Sequence, residues 1–167
     1  MKLMGRIVLT LVVLLVVPMS SVSDEASTQG GDSVEAVRQM FVGNYELVKF
    51  ESFPSPDEVV PRHFIARIMY DAHGNMAAIG MPKDLPELDR ASGDERVRRG
   101  GFAYFGKFQI DIEQGTVTHH LIGSPVAARS VGEDWVRYYE FDGDLLTLSI
   151  KNAGGRIISQ LTWKKYG

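Results

Sequence analysis

The sequence predicts an all-β protein: an eight-stranded antiparallel up-and-down barrel, with one short helix before the first strand and another between the third and fourth. Three observations carry this. Segments of alternating side chains recur between residues 42 and 163, separated by turn signals such as DAHG, EQG, FDGD and NAGG. No long helical pattern intervenes between any two of them. Eight strands in sequential hairpin order lose both sheet edges only by closing, and closure at eight leaves an interior large enough for one small ligand.

The N-terminus reads as something other than barrel. Lys2 and Arg6 give a basic start, Ile7 to Val17 is apolar except for Thr10, and Pro18 then leads into the small residues around Ser20, Ser21 and Ser23. This is the layout of a secretory signal peptide over residues 1–23, cleaved after Ser23, and its apolar stretch falls well short of the roughly 20 residues of a membrane-spanning helix. Retention as a membrane anchor is the alternative. Residues 24–31, DEASTQGG, are small and polar and read as a flexible leader. The barrel domain is then residues 32–167. Export places it in the periplasm or outside the cell.

Asp32 can cap a helix ending near Phe41, with Val34, Val37 and Phe41 on one face. Strands follow at Val42–Phe50, His63–Tyr70, Asn75–Met81, Phe102–Ile112, Thr116–Gly123, Asp134–Phe141, Leu145–Lys151 and Arg156–Trp163. Phe53 to Arg62 holds three prolines and reads as a loop. Between the third and fourth strands, Ser92-Gly93-Asp94-Glu95 forms a capping box and Gly100-Gly101 a helix stop.

Composition narrows the function. The chain of 167 residues carries 18 basic and 21 acidic residues, and loss of Lys2 and Arg6 would make it more acidic still. Nucleic acid needs clustered Lys and Arg, so it is excluded as a partner. There is no cysteine, hence no disulfide and no lipid-modified cysteine. GxSxG, HExxH, a phosphate loop and GxGxxG are all missing, so no catalytic residue, metal or cofactor is assigned.

Turn lengths set which side chains share a face. A two-residue turn within Asp142-Gly143-Asp144 puts Trp135, Arg137, Tyr139 and Phe141 on the side of Leu146, Leu148 and Ile150. The loop Asn152–Gly155 adds Ile157, Ser159, Leu161 and Trp163. These sets are more apolar than their alternates and are expected to line the interior. On the strand from Phe102, the even positions Phe102, Tyr104, Phe108, Ile110 and Ile112 do the same. A three-residue turn at Glu113-Gln114-Gly115 then sends Thr118 and His120 inward and His119 outward; a shorter turn exchanges the histidines. An inward Arg137 either satisfies itself on backbone carbonyls and on Trp135 or Trp163, or anchors a ligand's carboxylate or phosphate. The expected ligand-binding set is Tyr104, Phe108, His120, Trp135, Arg137, Tyr139 and Leu148, facing a small apolar or amphipathic molecule. A filled, purely structural barrel is one alternative; a cofactor-free isomerase or cyclase is a second.

The runs FVGNYELVKFES, IMYDAHGNMAA, AYFGKFQID, GTVTHHLIGS and WVRYYEFDGDLLTLS, with TWKK near the end, resemble the lipocalin-like domain family of small bacterial and fungal proteins. The resemblance covers Phe41 to Lys165. Gly43 and Tyr45 stand where the family has glycine and tryptophan. Tyr70, Gly74 and Met76 match its second motif, and Tyr104 and Gly106 its third. His119 and His120 fall in its histidine motif, with Arg137, Gly143, Asp144, Leu146 and Leu148 in the next. Tyr45, Phe108 and Lys164 depart from the family's usual tryptophan, tyrosine and arginine. The resemblance implies a calycin-like barrel and names no activity.

Overall fold

The computed structural model describes residues 25–84 and 101–166. The N-terminal apolar run and the capping box at Ser92–Glu95, with the second helix expected there, lie outside the described residues. Helix α1 spans Glu25–Phe41. It therefore takes in most of the segment expected as a leader, and it begins seven residues before Asp32.

Nine strands follow: β1 Gly43–Ser52, β2 Val60–Pro61, β3 Phe64–Tyr70, β4 Asn75–Pro82, β5 Phe102–Asp111, β6 Thr116–Gly123, β7 Asp134–Asp142, β8 Leu145–Lys151 and β9 Ile157–Tyr166. The two-residue β2 only borders β1, pairing Ser52 with Val60 and Glu51 with Pro61. The other eight run antiparallel in chain order from β1 and β3 through β9, and β9 pairs back onto β1. That last pairing extends from Asn44↔Tyr166 to Ser52↔Ser159, so the sheet is a closed up-and-down barrel.

Register decides what the barrel encloses. In β7 and β8 the tight turn pairs Asp142 with Leu145 and Phe141 with Leu146, which sends Trp135, Arg137, Tyr139 and Phe141 inward with Leu146, Leu148 and Ile150. Two irregularities break simple alternation. A bulge between Leu47 and Lys49 lets β1 send Tyr45 and then Phe50 inward, although one is odd and the other even. A second, between Ile150 and Lys151, leaves Ser159 opposite Ile150 but Ile157 opposite Lys151. Ile157, expected inside, is consequently exposed.

The hairpin joining β5 and β6 corrects a further expectation. Its turn covers Ile112–Gly115, one residue longer than the three-residue turn expected, and pairs Asp111 with Thr116. Gly115 has φ +62°, the left-handed conformation expected of it. One residue of register turns every side chain over. Val117, His119 and Leu121 are therefore buried, whereas His120 is exposed and bonded through Nδ1 to Asp134 at 2.6 Å. Thr118, expected inside, shares the outer face with His120, and Ile112 lies in the turn.

One end of the barrel is stoppered. Phe41, the last residue of α1, is fully buried and packs edge-on against Tyr70, Tyr139 and Phe141 at centroid distances of 5.0–5.2 Å. The helix's last carbonyls, which lack partners within the helix, are met from the barrel. The Tyr45 hydroxyl lies 2.8 Å from the Met40 oxygen and 3.0 Å from that of Phe41, and Lys165 Nζ donates to Met40 at 3.1 Å. Arg38 donates to the Ala72 carbonyl in the β3–β4 turn at 3.0 Å. Tyr45, at the family's tryptophan position, thus serves as the tie between stopper and barrel.

Gly106 sits at a bulge where β5 meets β6, and a Cβ there would run into the His120 backbone carbonyl. Backbone cannot swing aside as a flexible side-chain tip can. Gly106→Ala is expected to destabilise the fold by about 1–3 kcal/mol, as overpacking does, read as a lower urea midpoint with unchanged m-value.

Candidate functional site

The inward alternation of β3, β5, β6 and β7 brings four polar groups together in the interior. His119 is fully buried. Its Nε2 lies 2.8 Å from the Tyr70 hydroxyl and its Nδ1 3.2 Å from that of Tyr104. Arg137, half-buried on β7, lies close to Tyr104, donates from Nη1 to the Val136 carbonyl at 3.0 Å, and lies over the Trp135 ring at 5.5 Å.

A neutral imidazole donates from one ring nitrogen and accepts at the other, so the two tyrosine hydroxyls can satisfy both nitrogens of an uncharged His119. Burial, reinforced by the nearby Arg137 charge, accordingly lowers the His119 pKa from 6.5 to about 3. Burial also raises Tyr70 and Tyr104, and it lowers Arg137, against which the two tyrosines push back.

Beside this cluster lies a cavity of about 160 Å³, lined by eleven residues on β1, β3, β5, β7, β8 and β9. Tyr104 and Arg137 form its polar wall. Ile68, Leu148, Leu161 and Trp163 form its apolar body, and Phe50, Phe102, Trp135, Ile150 and Ser159 lie toward the end away from α1. The Trp163 N–H is enclosed and has no acceptor among the described residues. A broader groove of about 330 Å³ lies outside the barrel between Ile65, Ile79 and Met81. No cluster of polar groups converges on it, so the interior cavity is the candidate site.

Of the residues expected to bind a ligand, Tyr104, Trp135, Arg137 and Leu148 line the cavity. Phe108 and Tyr139 point inward but belong to the stoppered end, where they pack around Phe41. His120 is outside. The residue in its expected place is His119, which the alternative turn length would have found; Phe50 is missed because the β1 bulge hides it from alternation. Among the described residues no group of three or more His, Asp or Glu could hold a metal ion.

The profile of the lipocalin-like domain matches residues 42–166, from the strand after α1 to the end of β9. The chain belongs to the lipocalin-like domain family. Among solved structures, a lipocalin-like protein from Bacteroides uniformis is similar at 14% identity and TM-score 0.43, over 76% of this chain and 99% of that one. No curated protein matches. The lipocalin-like domain's own geometry therefore has to carry the reading of its interior.

The neutral His119 has a consequence for stability. In the unfolded chain the imidazole takes up a proton near pH 6.5; in the folded domain it does so only near pH 3. The stabilisation present above pH 6.5 is therefore lost progressively as pH falls through that window, by about 1.4 kcal/mol per pH unit. Urea denaturation at pH 7, 5 and 4 should show this slope in the native chain and a shallower one in His119→Gln. Equal slopes would contradict the buried neutral histidine.

Proposed function

We propose that the protein is an exported binding barrel that holds a small, largely apolar molecule in its interior. The observation that carries this reading is the cavity of about 160 Å³ at the end opposite α1, walled by aromatic and aliphatic groups with Arg137 and Tyr104 on one side. Calycin-type barrels of eight strands have room for one small ligand inside, and membership of the lipocalin-like domain family supports such a role in general. An apolar cavity of about 150 Å³ accommodates benzene, so a single ring or a short branched chain sets the size. Export rests on the basic, apolar and small-residue order of residues 1–23.

The filled-core reading draws on a specific observation too. Half of the interior is solid around Phe41, and the cavity is smaller than the ~300 Å³ at which drug-sized ligand pockets begin. Toluene separates the two. Titrated into the full chain, it is expected to shift the NMR signals of Leu148, Ile150 and Leu161 and of the Trp163 indole. Leu161→Phe, which fills the cavity, should weaken binding by at least about tenfold, equivalent to 1.4 kcal/mol. Absence of any shift at these residues would favour the filled core.

A further inference from the structure

Among the described residues, Arg137 is the one ionised group on the cavity wall. Its contacts among the described residues are the Val136 carbonyl, the Tyr104 hydroxyl and the face of Trp135. None is an acid, and no ion pair involving Arg137 exists among the described residues. The acid beside the wall residues, Glu133, accepts the Trp135 indole N–H at 3.2 Å. His119, the other group that could carry charge nearby, is held neutral by burial and by the Arg137 charge. The local charge is therefore a single positive one, half-buried, beside apolar surface.

Such an arginine is costly to keep. A guanidinium has five N–H donors, and the Val136 carbonyl leaves most of them uncommitted. Placing it against an apolar cavity without a counter-ion gains nothing for the fold, since a hydrophobic side chain of similar volume would pack there at no electrostatic penalty. A ligand carboxylate reverses that balance: it supplies one negative charge and two acceptor oxygens matched to the guanidinium fork. A phosphate monoester brings up to two charges against one. The cavity volume limits the rest of the molecule to about one benzene ring.

We infer that the interior site is selective for small organic monocarboxylates, with the carboxylate on Arg137 and a ring-sized apolar body against Leu148, Leu161 and Trp163. The inference rests on the binding-barrel reading above and adds the charge and size of what is bound.

The chain's two tryptophans, Trp135 and Trp163, both line the cavity, so intrinsic fluorescence reports on it directly. Benzoate, benzamide and toluene are titrated into the full chain and into Arg137→Gln. Benzoate is expected to bind the native chain at least about tenfold more tightly than benzamide, its neutral near-isostere, a preference a charge-assisted contact readily supplies. Arg137→Gln should abolish that preference. If toluene binds but benzoate has no advantage over benzamide, the carboxylate inference is overturned and the binding barrel stands. If none of the three binds, both fall. The benzoate-to-benzamide ratio is measured on the native chain, so it decides even where the variant does not fold.

Discussion

The pairing of β9 with β1 is the constraint from which the rest follows. Eight hairpin-linked strands left open would expose two edges and one apolar face to water, inviting association along both. Once Asn44 to Ser52 is hydrogen-bonded to Ser159 to Tyr166, those edges vanish and the inner face becomes an interior. An interior of this size is large enough to admit aromatic side chains from every strand, yet narrow enough that a handful of them can fill it. What differs along the axis is how completely they do so.

At the α1 end the filling is complete. Phe41 enters as a plug, and the four aromatic rings around it close the space. The polar ties from Tyr45, Lys165 and Arg38 satisfy the helix carbonyls and fix the plug's position. Midway, Tyr70, His119 and Tyr104 satisfy one another, which is how a fully buried imidazole is tolerated without a charge. Beyond this layer the side chains no longer meet across the axis. Arg137 stands at that boundary, with the hydrogen-bonded cluster on one side and the cavity on the other.

Much of this arrangement was legible in the sequence, because the barrel's signals are local. Hairpin turns at Asp71–Gly74 and Gly143–Asp144 fix neighbours and register, and the alternation in β7 and β8 then names Trp135, Arg137 and Leu148 as inward. What escaped were positions where one residue is inserted or withheld. The turn at Ile112–Gly115 exchanged His119 with His120; the bulge at Leu47–Lys49 hid Phe50; the bulge at Ile150–Lys151 turned Ile157 outward. Each is a one-residue slip that leaves composition and turn chemistry unchanged. Alternation counts residues and cannot see a bulge. The division of the interior into a plugged half and an open half was equally out of reach, since Phe108 and Tyr139 are as apolar and as inward as the residues that line the cavity. It depends on how far α1 reaches in, which is a long-range fact.

Native-state hydrogen exchange of the backbone amides in β1 and β9 tests closure most directly. The account predicts that interior-strand amides from Tyr45 to Glu51 and from Gln160 to Lys165 exchange only through global unfolding, as slowly as those of β4 and β5. Exchange of β1 and β9 at the rates of free sheet edges, while β4 and β5 stay protected, would show an open sheet and contradict the barrel, its cavity and the role assigned to Arg137.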